Sequence, residues 1–187
     1  MKKIIALVAI LIAIVVMNSN NAYSQSSDSS VCFSKTTYTI KVNCTKTIKE
    51  SITSCNFGRF DNNINDKNFP SGVKLTDSIV EMSARLVSFN CKWIPYDKVA
   101  IEMNKVGYRP ATLRELLAFA EKYSRLSRVQ KKFIILAFGS CCYGLILNYP
   151  AVPGLHFDGG MRQLDLYCDD MEFNWSTVVF SFLAVQK

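Results

Sequence analysis

Histidine is nearly absent from this chain, and its scarcity excludes more chemistry than any other feature of the composition. His156 is the only one among 187 residues, and the seven cysteines show no Cys-x-x-Cys spacing. A zinc site of the usual Cys/His kind is therefore not expected. The sequence also has no Gly-x-Gly-x-x-Gly segment, no phosphate-binding loop and no Gly-x-Ser-x-Gly nucleophile segment. We therefore predict no metal and no cofactor.

Polar residues are missing from one long run near the N-terminus. Lys2 and Lys3 precede the apolar run Ile4–Met17, and Ala22-Tyr23-Ser24 follows with small residues at the −3 and −1 positions. This pattern is typical of a secretory signal peptide over residues 1–24, cleaved after Ser24. The run is shorter than the ~20 residues of a membrane span, and an uncleaved anchor is the alternative. We expect a secreted or periplasmic protein that meets the membrane only through its signal peptide.

The charge of the chain is basic but modest. The formal net charge is +7, and removal of Lys2 and Lys3 would lower it by two, to +5. An excess of this size favours loose attraction to anionic envelope surfaces. It does not predict a nucleic-acid partner, and export argues further against one.

All seven cysteines lie after the predicted cleavage site. An exported chain meets an oxidising environment, so we expect some of them to pair, and an odd number leaves at least one without an internal partner. We predict a disulfide from Cys168 to Cys141 or Cys142, which follow a separate predicted strand. The adjacent pair Cys141-Cys142 is interpreted as two residues on opposite faces of a strand, with a redox pair as the alternative.

The middle of the chain predicts one strand and two helices. Tyr38, Ile40, Val42 and Cys44 alternate with polar residues, which indicates a half-buried strand. Residues 95–106 place Val99, Met103 and Val106 on one helical stripe, with Gly107 as the stop. Thr112 and Glu115 then form a capping box that opens a second amphipathic helix, with Leu113, Leu116, Leu117 and Ala120 on its apolar face. Residues 57–72 are Asn-rich and predict a loop.

The rest of the chain predicts strands. Residues 85–89 and 131–140 are strand candidates, residues 155–168 form a hairpin around Asp158-Gly159-Gly160, and 177–187 is apolar on both faces, as a central strand would be. We therefore expect a flexible leader over 25–34 and a single α+β domain over 35–187. In that domain two helices pack on a mainly antiparallel, loop-rich sheet.

Several blocks carry a resemblance. The segments FDNNINDKNFP, VSFN, GYRPATLRELLAFAEKY, KKFIILAFGS, LDLY and FLAVQK, within residues 56–187, resemble a family of uncharacterised hypothetical proteins common in uncultivated small-genome bacteria. That resemblance implies no activity. The GYRPATLREL block also resembles a segment of C-type-lectin-like folds, among them the formylglycine-generating-enzyme superfamily and the variable proteins of diversity-generating retroelements. The order of predicted elements agrees with a C-type-lectin-like architecture.

Residues 141–176 combine aromatic and charged side chains that suit a binding surface. Aromatic rings and Arg give large contact areas with a polar handle, and loops on a rigid scaffold commonly carry binding. The candidates are Tyr143, Tyr149, His156, Asp158, Arg162, Tyr167, Asp169, Asp170, Glu172, Asn174 and Trp175. The alternative is that these aromatics fill the core. The acids at 169–172 also suit calcium, but a solvated acidic loop is the plainer interpretation.

The sequence favours a non-catalytic binding or recognition module for a protein or glycan ligand at or outside the cell envelope. One alternative is a small secreted hydrolase or thiol enzyme that uses His156 and a nearby cysteine. A second alternative is a structural envelope protein. Nothing in the sequence places two carboxylates at a distance suited to glycoside hydrolysis.

Overall fold

A computed structural model describes residues 31–70, 79–124, 133–146, 149–168, 174–176 and 179–187. The predicted signal peptide lies outside these ranges, as do residues 25–30 of the predicted leader. The first strand begins at Val31, ahead of the domain start expected at residue 35. No helix in the described part of the chain has the length and hydropathy that a membrane crossing requires.

The described residues form a mixed α+β fold in which sheet predominates. The strands are β1 (Val31–Asn43), β2 (Arg59–Phe60), β3 (Ile79–Phe89), β4 (Trp93–Pro95), β5 (Tyr108–Pro110), β6 (Ile134–Leu136), β7 (Cys142–Ile146), β8 (Tyr149–Asp158), β9 (Met161–Tyr167), β10 (Asn174–Ser176) and β11 (Phe180–Gln186). The helices are α1 (Ile48–Cys55), α2 (Tyr96–Lys105) and α3 (Leu113–Lys122). The expectation of two helices was wrong, because it missed α1.

One large sheet organises the molecule. Its strand order is β1-β3-β11-β6-β8-β9-β2, with β5 pairing β11 and β7 pairing β8, while β10 and β4 form a separate ribbon. The pairs β11–β6 and β2–β9 are parallel and the other pairs are antiparallel. The central position predicted for the C-terminal strand is confirmed, since β11 lies between β3 and β6.

The two faces of the sheet carry separate apolar clusters. On one face, Tyr38 and Ile40 of β1 pack with Leu116 of α3 and Ile52 of α1. The other face packs against α2 and the β4–β10 ribbon; its buried residues include Val87, Phe89, Val99, Met103, Trp175 and Phe182. The alternation predicted for β1 is confirmed, because Tyr38, Ile40 and Val42 are buried while the residues between them are exposed.

At Thr39, the outer edge of β1 is covered by side chains from the end of α3. The hydroxyl of Tyr123 accepts the Thr39 N–H at 3.1 Å and donates to the Thr39 carbonyl oxygen at 3.0 Å. The Lys122 ammonium donates to the same carbonyl oxygen at 2.7 Å. The hydrogen bonds that a further strand would make at Thr39 are therefore made within the chain.

The β8–β9 hairpin is confirmed. Asp158 pairs with Met161, so the loop has two residues, Gly159 and Gly160. Both have positive φ, +55° and +84°. A two-residue loop with positive φ at both positions is the type I′ geometry that matches the twist of the strands, and glycine adopts it without steric cost.

Candidate functional site

The segment between α2 and α3 positions the candidate site. Gly107, at φ +82°, ends α2 as expected, and the Lys187 N–H donates to its carbonyl oxygen at 3.1 Å. Val99 and Met103 are buried as predicted, but Val106 is 43% exposed. That part of the stripe prediction was wrong, because Val106 lies beyond the last turn of α2. The Ala111 N–H donates to Leu183 of the central strand at 2.8 Å, which anchors the segment to the sheet.

A buried ion pair fixes the start of α3. The predicted capping box is present, with the Glu115 carboxylate accepting the Thr112 N–H at 2.7 Å. Glu115 is 3% exposed, and the two oxygens of its carboxylate accept hydrogen bonds from the two terminal nitrogens of Arg109, at 2.5 and 2.9 Å. This hydrogen bonding with Glu115 raises the pKa of Arg109. The paired fork joins β5 to α3 through two parallel hydrogen bonds.

The turn after β6 packs directly against this helix start. The Gly139 N–H donates to the Ala111 carbonyl oxygen at 2.8 Å. A Cβ at Gly139 would lie 2.7 Å from the Pro110 carbonyl oxygen, so only glycine allows this approach without a backbone shift. The next residue, Ser140, accepts the Leu113 N–H at 3.0 Å through its hydroxyl. The turn and the first residues of α3 therefore form one wall.

The opposite wall comes from α1 and the loop that follows β2. The Asp66 carboxylate accepts the Ile48 N–H at the start of α1, at 3.0 and 3.2 Å. Arg114 of α3 lies 3.6 Å from Asp66 and also donates to the Lys46 carbonyl oxygen. The guanidinium thus ties α3 to both sides of the α1 start. Its Nε atom is buried without a hydrogen-bond partner among the described residues.

These walls enclose a pocket of about 410 Å³. Its lining residues are Ile48, Asn68, Phe69, Pro70, Thr112, Leu113, Arg114, Gly139, Ser140 and Cys141. The volume falls within the range of small-molecule sites, roughly 300–1,000 Å³. The lining mixes apolar side chains with hydroxyl, amide and thiol groups, which is the composition that orients a bound group and desolvates it.

Two tyrosines flank Cys141 beside this pocket. The Tyr96 hydroxyl donates to the Cys141 sulfur at 3.0 Å. Burial is the main cause that raises the pKa of Tyr96, and hydrogen bonding and charge interactions with Cys141 and Tyr143 raise it further. Tyr143 is itself 61% exposed. This predicted binding residue is therefore presented to solvent two residues along the chain from the pocket residue Cys141.

The prediction for Trp175 was wrong. Its side chain is 1% exposed and packs edge-on against Phe138 and Phe180, with ring centroids 5.2 Å away in each case. The ribbon of β10 and β4 presses it onto the sheet, where it joins the cluster around Phe182. Burial of a large aromatic side chain in a core is more favourable than its exposure to water, and Trp175 is part of the core.

Arg162 is also structural, contrary to the prediction. It is 9% exposed, and its guanidinium donates to the carbonyl oxygens of Cys55 at 2.7 Å and Ala120 at 2.6 Å. Those carbonyls lie at the ends of α1 and α3, where the final helical turns leave acceptors without internal donors. Burial lowers the pKa of Arg162. Its role is to bind β9 to both helices.

His156 and Tyr167 form a polar pair on the other face of the hairpin. The Tyr167 hydroxyl lies 2.5 Å from Nδ1 of His156, and a carboxylate oxygen of Asp165 lies 3.8 Å from the same nitrogen. Asp165 in turn accepts Arg59 at 3.1 Å. Burial raises the pKa of Tyr167, and the charge of Asp165 raises it further. Arg59 and Asp165 were missed as members of this cluster, although the alternation along β9 placed Asp165 beside Tyr167.

Tyr167 is half-buried, so it is not the exposed aromatic that a binding surface over residues 141–176 would present. A Cβ at Gly154 would lie 2.6 Å from the Tyr167 ring, which shows that the ring edge packs directly against this glycine. Phe180 covers the other side, with centroids 5.8 Å apart, and Gln163 on the same strand face is 7% exposed. The polar alternation of β9 therefore does not mark a solvent face.

The remaining candidates that the structure describes lie on different elements. Asp158 is exposed at the hairpin turn. Tyr149 begins β8, and Asn174 begins β10, where its backbone pairs with Pro95. The acidic residues Asp169, Asp170 and Glu172 lie outside the described residues. The described members of the predicted binding surface therefore lie on separate elements: Tyr143 on β7, His156, Arg162 and Tyr167 on the β8–β9 hairpin, and Trp175 in the core.

The predicted disulfide is not formed, since Cys141 and Cys142 are thiols in this structure. Cys142 pairs with Ala151 on one side of β8, and Cys168 follows Tyr167 on the other side. Two strand spacings, about 9.5 Å, separate such positions, whereas a disulfide needs Cα atoms within about 7 Å. Cys141 and Cys142 pack against opposite apolar clusters, which confirms the opposite-face interpretation.

A Cys–His catalytic pair is also contradicted for Cys142. Its partner Ala151 lies five residues along β8 from His156, which is about 16 Å of strand. Cys141 is engaged by Tyr96, and His156 by Tyr167. The thiols of Cys141 and Cys142 and the His156 imidazole therefore belong to separate sites.

The pocket residues could have been found from two sequence signals. Thr47-x-x-Glu50 has the same capping pattern as Thr112-x-x-Glu115, and it predicts α1. Gly139-Ser140 after a buried strand marks a tight turn. That Ser140 meets the start of α3 depends on tertiary packing.

Comparison of the chain with protein-family models, with curated proteins and with solved structures finds no significant match.

Proposed function

We propose that the chain is an exported, non-catalytic recognition module that binds a protein or glycan ligand at or outside the cell envelope. The proposal includes a signal peptide cleaved after Ser24, a secreted or periplasmic location and a C-type-lectin-like architecture. The capped helix α3, the mainly antiparallel sheet and the central C-terminal strand favour that architecture. Membership in the family of hypothetical proteins that the sequence resembles remains part of the same proposal.

One observation carries the binding proposal. The pocket of about 410 Å³ is built from the starts of two helices and a turn held by backbone hydrogen bonds, and the exposed Tyr143 lies two residues after the lining residue Cys141. Walls of this kind lose little conformational entropy when a ligand binds, because their groups are already held. An exposed tyrosine next to a preformed pocket is a suitable anchor for a partner.

Tyr143→Ala should separate recognition from folding. A buried tyrosine anchor contributes about 2 kcal/mol or more to binding, which is roughly a 30-fold loss of affinity on truncation. The side chain is exposed in the free protein, so the melting temperature should stay nearly unchanged. Binding of the mature chain to isolated cell envelopes, measured by co-sedimentation over a concentration series, gives the affinity.

Phe60→Ala is the matched control, since Phe60 is 43% exposed on the distant edge strand β2. It should bind envelopes as the unmodified chain does. Equal affinities for the unmodified chain and the Tyr143→Ala variant would contradict the proposal, as would equal losses in the two variants.

A further inference from the structure

The Cys141 thiol has a built environment that the binding proposal does not use. Cys141 lines the pocket, and its sulfur accepts a hydrogen bond from the Tyr96 hydroxyl at 3.0 Å. A donated hydrogen bond favours the thiolate, which is the reactive form of a cysteine. Burial, followed by the interactions with Cys141 and Tyr143, raises the pKa of Tyr96, so this phenol keeps its proton and remains a donor.

The neighbouring thiols lack this combination. Burial raises the pKa of Cys142, the charge of Cys141 raises it further, and its sulfur faces the Tyr143 carbonyl oxygen at 3.7 Å. Cys55 is 2% exposed, and burial raises its pKa to about 12. Burial thus disfavours the thiolate form of both of these cysteines. Cys141 alone among these three combines access to the pocket with a hydroxyl donor.

We propose that Cys141 is a site of covalent conjugation to low-molecular-weight disulfides, with the attached thiol compound seated in the pocket beside it. The Cys141 sulfur attacks one sulfur of the disulfide, so the bond between the two sulfurs of the reagent breaks and a Cys141 mixed disulfide forms. The other half of the reagent leaves as a thiolate and takes up the proton that Cys141 released. The reagent's disulfide is the oxidant, and the balance needs no further reactant.

The size and lining of the pocket suit such an adduct. A volume of about 410 Å³ accommodates a small thiol compound, and Ser140, Thr112 and Asn68 offer hydroxyl and amide groups to its polar atoms. An adduct there would occupy the space in which a recognition partner would bind. The conjugation reaction itself does not depend on that partner, so it can be tested even if the proposed function fails.

The test uses oxidised glutathione and non-reducing mass spectrometry. The full mature chain is reduced, freed of reductant, and incubated with the disulfide while the adduct is followed over time. Cys142→Ser should conjugate at the same rate as the unmodified chain, and Cys141→Ser should lose the fast adduct. We expect Cys141 to react on the order of tenfold faster than Cys44, a half-buried thiol elsewhere in the molecule.

Tyr96→Phe removes the donor and keeps the ring. It should slow conjugation at Cys141 several-fold while leaving the rate at Cys44 unchanged, which a merely structural role for Tyr96 would not produce. If this variant does not fold, as judged by circular dichroism, the rate at Cys141 relative to Cys44 in the unmodified chain decides the proposal. Equal rates at Cys141 and Cys44, an adduct mainly on Cys142, or an undiminished rate in the folded hydroxyl-deletion variant would overturn the proposal.

Discussion

Helices α1 and α3 begin with the same local pattern but have different surroundings. Both start with Thr-x-x-Glu, and both form the capping box. Glu50 of α1 stays in water, where the hydrogen bond from the Thr47 backbone lowers its pKa. Glu115 of α3 is buried and holds the Arg109 fork. A capping motif therefore predicts where a helix starts, whereas its neighbours decide how much the carboxylate contributes to the fold.

Leu116→Ala should give the largest loss of stability in this comparison. Leu116 is fully buried between α3 and the sheet, and truncation of such a leucine costs about 2–5 kcal/mol through lost burial and a cavity. Ile52→Ala in α1 should fall near the lower end of that range, since Ile52 keeps 5% exposure and lies in the shorter helix. Urea unfolding monitored by circular dichroism gives both values. A negligible loss for Leu116→Ala would mean that α3 does not dock as described.

Glu115→Ala should give the next largest effect and the clearest contrast between the helices. It leaves the partly buried Arg109 guanidinium without its partner, and breaking a buried pair in this way costs about 3 kcal/mol. Glu50→Ala removes only a solvated carboxylate and should destabilise much less in the same urea experiment. The double variant Arg109→Met, Glu115→Leu should recover a large part of the loss, because it removes both charges together. Similar losses in the two single variants would break the comparison.

The threonine caps should give the smallest effects, and nearly equal ones. Thr47→Ala removes the hydroxyl that accepts the Glu50 N–H at 3.1 Å, and Thr112→Ala removes the threonine of the second capping box; loss of such a cap costs about 1 kcal/mol. Thr→Ser at the same positions keeps the hydroxyl and should restore most of the stability. Thermal melts of the four variants measure this. If Thr112→Ala cost several kcal/mol more than Thr47→Ala, the contribution of Thr112 would extend beyond the cap of its own helix.

Features with a local cause were predictable from the sequence. The capping box at Thr112 and Glu115, the stop at Gly107 and the Gly159-Gly160 turn each follow from the conformational preferences of a few adjacent residues. The alternation in β1 and the apolar C-terminal strand report burial directly, because one or both faces of a strand must avoid water. These signals locate the start of α3, the end of α2, the β8–β9 hairpin and the strands β1 and β11.

Features with a distant cause were not predictable. The deep burial of Trp175 depends on the β10–β4 ribbon, and that of Arg162 depends on the two helix ends that it reaches. Tyr167 lies over Gly154 because β8 pairs with β9 in one particular register. The pocket requires Ser140 to meet Leu113 across 27 positions of sequence. In each case the residue type allowed both a solvent role and a core role, and only tertiary packing selected one.

The tyrosine and lysine that close the edge of β1 have a consequence for the protein at high concentration. An open edge strand offers unpaired N–H and carbonyl groups on which another chain can add a strand. At Thr39 those groups already bond to Tyr123 and Lys122, and the ammonium also places a positive charge where an incoming strand would lie. Lys122 and Tyr123 at the end of α3 thus hinder a strand of another molecule from pairing with β1 at this position. The folded protein is thereby protected at this position against fibrous aggregation through the edge of its sheet.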